Sequence, residues 1–278
     1  MVNRTVLYIS CLLAGLLPAC ATAEAFGPAA LTRERSAAAL EVQLAALQAG
    51  PSDVGAYECS YPGGQIHYVG GTTLQLVNCL IEAPAGAQRL VISSTGGEVN
   101  QAIFAAYVLK SMALDVEVVG WCVSSCANYI APAARRLYLD QHSIMYVHGA
   151  PQPPDRDRLI EALGRNGLTP DQPRFESVVS DNLMRSELTY RLHNNFRREF
   201  SVGEGYYDIA DIWSARAVID KGPGKDLIFV DPDWLKSCLG SIEVITEPTN
   251  REALETLLPQ YNLVAFSDIR GPDANCGP

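Results

Sequence analysis

The segment GWCVSSCANYIA, residues 120–131, places two adjacent serines, Ser124 and Ser125, between Cys122 and Cys126. A serine hydroxyl becomes a nucleophile when a neighbouring base, usually histidine, takes its proton and backbone N–H groups face the developing oxyanion. Ser124 follows a strand-like run and precedes a helical one, and a turn from strand into helix leaves several N–H groups free. Ser124 is therefore the candidate nucleophile and the Ser125 hydroxyl is the alternative, although a serine at a helix start is also an ordinary N-cap.

The two cysteines of this segment are either a reactive pair or a disulfide. An entirely helical C-x-x-x-C segment holds its Cβ atoms too far apart for a disulfide, so the bridge can close only if Cys122 lies in the turn before the helix. Six cysteines lie beyond the N-terminal leader, and six allow 15 connectivities, among which the sequence cannot choose. With a Cys122–Cys126 bridge, the simplest remaining pairs are Cys59–Cys79 and Cys238–Cys276.

The elements that must position these residues lie between residues 88 and 150. Strand-like and helix-like runs alternate there as RLVISS, EVNQAIFAAYVLKSM, DVEVVG, SSCANYIAPAA, RRLYLD and SIMYVHGA. This alternation is typical of parallel βαβ units and predicts an α/β fold with a mostly parallel sheet. Ligands of such sheets bind at the carboxyl ends of the strands. The Gly96-Gly97 turn, Ser124 and His148 all fall at predicted strand ends or just beyond them.

Outside this block the predicted elements are shorter and less regular. TTLQLVNCLI, residues 72–81, reads as a β-like run, and residues 151–174 read as a proline-rich excursion. A long polar helix is predicted over about 176–200, followed by strand-like runs at LIFV and SIEVIT.

The first residues have the features of a secretory leader. An apolar run ends at Pro18, and Ala21-Thr22-Ala23 fits the small-x-small cleavage rule, so residues 1–23 are predicted to be a signal peptide. The alternative is a lipoprotein signal with acylation at Cys20. Either interpretation predicts a periplasmic or secreted protein, in which disulfides are favoured. The rest divides into an N-terminal helical arm (24–55), a core domain (56–222) and a C-terminal extension (223–278).

The charge balance excludes some classes of partner. The chain has 31 acidic and 21 basic residues and a formal net charge of −10. Nucleic acids and anionic membranes are bound by clustered Lys and Arg, so neither is an expected partner. Neither C-x-x-C nor H-x-x-x-H spacing occurs, so no metal and no cofactor are predicted.

The run from LVISSTGGEV through VVGWCVSSCANYIAPAARRLYLDQHSIMYVHGA resembles the proteolytic subunit of the Clp protease and its relatives in the Clp/crotonase superfamily. It is most similar to a secreted branch that carries a C-x-S-x-C segment. The resemblance covers about residues 65–222. It implies a Clp/crotonase-like fold of repeated ββα units, and a homo-oligomer, because members of the family form rings or trimers.

The resemblance also implies site residues. They are Gly96 as first oxyanion donor, Ser124 as nucleophile, the Ser125 N–H as second donor, His148 as base, and Asp211 or Asp208 as the carboxylate that orients the base. These roles imply a serine peptidase acting on peptides or proteins, with no ATP-dependent unfoldase expected outside the cytoplasm. Two alternatives stay open: an inactive binding or scaffold module, and a crotonase-type enzyme that stabilises an oxyanion without the serine and histidine.

Overall fold

Short apolar and β-branched runs form the central sheet of the protein. The computed structural model describes residues 57–139, 143–147, 149–203, 205–207, 227–228, 232–246, 265–266 and 276. Its strands are β1 (Glu58–Ser60), β2 (Ile66–Val69), β3 (Arg89–Ser94), β4 (Asp115–Val123), β5 (Arg136–Leu139), β6 (Ile144–Tyr146), β7 (Leu227–Ile228), β8 (Glu243–Thr246) and β9 (Ala265–Phe266). The predicted leader (1–23) and helical arm (24–55) lie outside the described residues.

Helices connect these strands. The α-helices are α1 (Leu74–Ile81), α2 (Val99–Ser111), α3 (Arg156–Arg165), α4 (Phe175–Phe200) and α5 (Pro232–Cys238). The described residues also form a π-helix (Cys126–Ile130) and short 3₁₀ turns (Pro62–Gly64 and Ala131–Ala133). In the part of the chain that the structure describes, no helix has the length and apolar character needed to cross a membrane.

The main sheet has seven strands, and all of its pairings but one are parallel. The order along the sheet is β1-β2-β3-β4-β5-β8, with β6 added to β4 and β1 antiparallel to β2. All six residues of β3 are buried, because a parallel strand is covered on both faces. The predicted α/β class with a mostly parallel sheet is confirmed.

Strand β4 is long enough to pair with three strands. Its first half pairs with β5 through Val116–Val118, and its last three residues pair with β6 through Trp121–Val123. The register against β3 shifts between these halves, where Gly120 has φ +79°. A bulge of this kind bends a strand, and it redirects the end of β4 toward the loops that follow β2 and β3.

The core lies between this sheet and the helices. Leu90, Ile92, Val116 and Val118 from the two central strands are buried in one cluster with residues of α1 and α2. The end of α4 joins the same cluster, where the rings of Phe200 and Tyr107 meet edge to face at 5.3 Å.

Two stretches differ from their predicted form. TTLQLVNCLI forms the helix α1 instead of a strand, because its buried residues Leu76, Val77 and Leu80 recur at helical spacing. The excursion over 151–174 contains α3, and Asp155 is the N-cap of this helix. The Asp155 Oδ1 accepts from the N–H of Arg158 at 3.1 Å. The long helix predicted over 176–200 is α4.

Three disulfides tie the elements together. They are Cys59–Cys79 (Cα–Cα 5.9 Å), Cys122–Cys126 (5.2 Å) and Cys238–Cys276 (5.0 Å). Cys122 lies in β4 and Cys126 begins the π-helix, so the second bridge spans a strand-to-helix turn and its Cα atoms are close enough to be joined.

Charged side chains gather where the strands begin, at what we call the amino edge of the sheet. Asp115, the first residue of β4, accepts from Arg135 at 2.8 Å and from Arg136 at 2.6 Å. Burial alone would raise the pKa of Asp115, but hydrogen bonds from Arg136 and Arg135 lower it overall. The first residue of β3, Arg89, donates to Glu117 at 2.8 Å, and both side chains are buried.

An aromatic cluster buries His193 of α4. The Tyr129 hydroxyl lies 3.3 Å from His193 Nδ1, and the Tyr207 ring packs edge-on with its centroid at 4.6 Å. Burial, followed by the nearby charge of Arg197, lowers the pKa of His193 from 6.5 to about 4. The ring is therefore neutral at neutral pH and packs as a core side chain.

This depressed pKa predicts a pH-dependent stability. Between pH 6.5 and about 4 the unfolded chain binds a proton at His193 that the folded chain does not, so stability falls as the pH falls through this window. The free energy of unfolding should drop by about 2 kcal/mol from pH 7 to pH 5 through this group. Urea unfolding of wild type and His193→Phe at both pH values measures it. If the free energy of unfolding of the variant falls with pH as steeply as that of wild type, His193 is not the group responsible.

Candidate functional site

Three loops converge where the parallel strands β2, β3 and β4 end. They are residues 70–73, 95–98 and 124–125, and we call them the carboxyl-edge loops. The Thr72 N–H donates to the Gly96 carbonyl at 2.9 Å, and the Gly70 N–H donates to the Ser93 carbonyl at 3.1 Å. These contacts join the loop after β2 to the end of β3 and to the glycine turn that follows it.

The Ser125 side chain fastens the three loops to one another. Its hydroxyl is fully buried and donates to the Gly97 carbonyl at 3.0 Å, while its oxygen lies 2.7 Å from Thr72 Oγ1. A serine hydroxyl has a single proton, so Thr72 Oγ1 is the donor of the second bond. The hydroxyl is thus committed to structure. The backbone N–H of Ser125 has no acceptor among the described residues and is the group that this serine can offer to a ligand.

Ser124 adopts a backbone conformation that is unusual for a residue with a side chain. Its φ is +57°, its N–H donates to the Tyr146 carbonyl at 2.9 Å, and its carbonyl accepts from the Asn128 N–H at 2.8 Å. A non-glycine residue in the left-handed region costs free energy and persists only where its surroundings fix it, most often at functional sites. The β6 backbone and the π-helix hold Ser124 in this conformation.

The glycine turn packs directly against Ser124. Gly96 has φ +93°, and a Cβ at this position would lie 2.4 Å from Ser124 Cβ and 2.8 Å from the Val123 carbonyl oxygen. Glycine is therefore required both by the conformation and by the space. The Gly96 N–H donates to Ser94 Oγ at 3.2 Å, so a carbonyl oxygen that binds at Gly96 has to replace this long hydrogen bond.

The structure thus brings together three of the residues that were predicted from the sequence: Gly96, Ser124 and Ser125. His148, Asp208 and Asp211 lie outside the described residues, and their roles stay predictions. Thr72 was missed, although it is fully buried and holds two of the loops together. Its signal in the sequence was the Gly-Gly-Thr-Thr segment that follows β2, which the β-like interpretation of residues 72–81 concealed.

Two further residues were missed because they come from a distant part of the chain. The Tyr206 hydroxyl donates to the Ala127 carbonyl at 2.8 Å, and the Tyr207 hydroxyl donates to the Asn128 carbonyl at 3.0 Å. Burial raises the pKa of both phenols, so they remain protonated donors. They fix the π-helix that follows Ser125.

No protein-family model matches this sequence, and no curated protein matches it. Similar solved structures include an enoyl-CoA hydratase from Mycobacterium avium subsp. paratuberculosis, with 12% identity, a TM-score of 0.28, and a match over 33% of this chain and 47% of that chain. This chain thus spans about half the length of that relative. The enoyl-CoA hydratase from Shewanella pealeana has 9% identity, a TM-score of 0.28, and coverage of 65% and 93%. That from a Polaromonas species has 12% identity, a TM-score of 0.32, and coverage of 75% and 77%.

The sheet order, the helical crossovers and the loops at the strand ends form a mixed α/β fold with a mostly parallel sheet, and the Clp/crotonase type stays a prediction. The prediction of a serine peptidase, and with it of a hydrolase, is wrong. The finding against it is that the similar solved structures are enoyl-CoA hydratases and not serine peptidases. The order of residues along the chain did not identify a reaction.

The contact between Gly96 and Ser124 predicts a large effect of a single methyl group. Gly96→Ala should lower the free energy of unfolding by more than about 3 kcal/mol, because it adds steric overlap to the cost of a left-handed alanine. Gly86→Ala is the matched control, since Gly86 has φ +87° and nothing lies within 4 Å of its added Cβ. It should cost only about 1–2 kcal/mol. Equal losses in urea unfolding would contradict the described contact.

The bridge from Thr72 to Ser125 predicts energetic coupling. Ser125→Ala should cost about 1–3 kcal/mol, because it removes the partner of the buried Thr72 Oγ1 and the hydrogen bond to the Gly97 carbonyl. Thr72→Val with Ser125→Ala should cost less than the sum of the single changes, by about 1 kcal/mol in a double-mutant cycle. Ser111→Ala, on the exposed face of α2, should change stability by less than about 0.5 kcal/mol. Strict additivity would show that the two hydroxyls do not interact.

Proposed function

We propose that this protein is an enzyme that binds the carbonyl group of an acyl compound in the carboxyl-edge loops and stabilises negative charge on the carbonyl oxygen. The observation that carries the proposal is the arrangement around Ser124. The residue is held at φ +57° against Gly96, and the Ser125 N–H beside it has no acceptor in the described part of the chain.

The donors suit this chemistry because they are fixed before a ligand arrives. The Ser125 side chain is anchored to two loops, and Tyr206 and Tyr207 anchor the helix that follows it. Preorganised backbone N–H groups do not have to reorganise as charge develops on an oxygen, and one such donor contributes about 10²–10³ in rate. The Gly96 N–H becomes the second donor when it exchanges Ser94 Oγ for the ligand.

The proposal includes a place for this protein in the Clp/crotonase superfamily and, within it, in the secreted branch. The bridge from Cys122 to Cys126 encloses Ser124 and supports a place in the secreted branch with a C-x-S-x-C segment. Three disulfides also support export to an oxidising compartment.

A second function, a binding module without catalysis, is favoured by one observation. The Gly96 N–H already has a partner in Ser94 Oγ, so the site as described offers one free donor instead of two. A ligand held by the Ser125 N–H alone would be bound with little polarisation of its carbonyl.

The cinnamoyl thioester of N-acetylcysteamine tests the proposal, because its absorption band moves to longer wavelength when the carbonyl is polarised. Wild type and Gly86→Ala should bind the probe and shift the band. Folded Gly96→Ala, checked by circular dichroism, should lose the shift because its methyl group displaces Ser124.

Binding without a shift in wild type would favour the non-catalytic module. The absence of binding in the wild type would refute the carbonyl site itself.

A further inference from the structure

We propose that the acyl compound taken by this site is neutral and carries no phosphate groups, so that coenzyme A thioesters are poor ligands. The inference rests on the proposed function and names its substrate class. It comes from the distribution of charge between the two edges of the sheet.

Apart from Glu98, the carboxyl-edge loops are built from small, uncharged residues. They read Gly-Gly-Thr-Thr at 70–73, Thr-Gly-Gly-Glu at 95–98 and Ser-Ser at 124–125, so Glu98 carries the charge of the described loops. Glu98 is exposed, and its carboxylate caps α2 by accepting from the Gln101 N–H at 2.8 Å. A phosphate group at this rim would meet a carboxylate instead of the Arg and Lys side chains that bind phosphates.

The cations of the sheet lie at the opposite end of the strands. Arg89, Arg135 and Arg136 are at the amino edge, and each is paired with a carboxylate there. The nine residues of β4 separate that edge from Ser124, a distance of about 30 Å at the usual rise of a strand. The Debye length at physiological salt is about 8 Å, so these cations do not reach the site.

The next cations along the chain are also paired with carboxylates. Arg156 donates to Glu176 at 2.9 Å, and Arg158 lies 3.6 Å from Asp155. A phosphate that bound either side chain would have to compete with its existing partner. The formal net charge of −10 adds a general repulsion of polyanions.

The surface beside the carboxyl-edge loops favours a ligand whose remainder, apart from the carbonyl group, is apolar. Leu74 begins α1 directly after the first of the loops, and 54% of it is exposed. Its backbone N–H donates to Gln101 Oε1 at 2.7 Å, which holds the first residue of α1 beside α2. A ligand with a carbonyl as its polar group and an apolar remainder matches both features.

Two probes with the same acyl group test the inference: the cinnamoyl thioesters of N-acetylcysteamine and of coenzyme A. They share the carbonyl and differ in the phosphate-bearing portion. Titration of the mature, oxidised protein should give a dissociation constant at least tenfold lower for the neutral probe. Raising the NaCl concentration should narrow the difference, because salt screens the repulsion of the phosphates.

Glu98→Gln is the matched variant, because the glutamine carbonyl can still accept from the Gln101 N–H and preserve the cap. The ratio of the dissociation constant for the coenzyme A thioester to that for the neutral probe should fall about threefold in this variant. An unchanged ratio of the two dissociation constants would contradict the role of charge at the rim.

Two results would overturn the inference, and they are distinguishable. Coenzyme A thioester binding as tight as that of the neutral probe would refute the substrate class while the carbonyl site stands. Failure of both probes to bind would refute the proposed function and this inference with it.

Discussion

The site depends on one steric constraint, the contact between the glycine turn after β3 and Ser124. The added Cβ of an alanine at Gly96 would lie 2.4 Å from Ser124 Cβ, which leaves room for a hydrogen atom and nothing larger. The other features of the site follow from this closeness. Ser124 is left-handed where it packs against the turn, and Thr72 reaches both the Gly96 carbonyl and Ser125 because the loops lie in contact.

The bulge in β4 makes that contact possible. Between Ile92 and Ser94 the register of β3 against β4 shifts, so Cys122 lies opposite Ser94 instead of continuing the earlier pairing. The local bend allows β6 to replace β5 as the neighbour of β4 and allows the Tyr146 carbonyl to receive the Ser124 N–H. The strand therefore has a regular half between β3 and β5 and an irregular half that shapes the loops.

Much of the sheet could be predicted from the sequence because buried parallel strands leave short apolar runs, as RLVISS and DVEVVG do. The meeting of Gly96 with Ser124 could also be expected, since the carboxyl ends of parallel strands share an edge. The helix α1 could not, because Leu74 and Leu76 alternate like a strand while the burial of Val77 and Leu80 is decided by tertiary packing. The peptidase prediction failed for a related reason: the order of Gly96, Ser124 and Ser125 along the chain predicts where loops meet and does not specify a reaction.

The tyrosine pair has a consequence for how this fold can diverge. The chain leaves the site after β6 and returns at Tyr206, whose hydroxyl bonds to a residue 79 positions earlier in sequence. The intervening hairpin of α3 and α4 is thus an excursion with both ends fixed at the same place. Insertions and deletions at its far turn leave the two anchors in register, so its length and surface chemistry are free to drift. Related proteins can therefore differ in the length and surface of the α3–α4 hairpin while the carboxyl-edge loops keep the same arrangement.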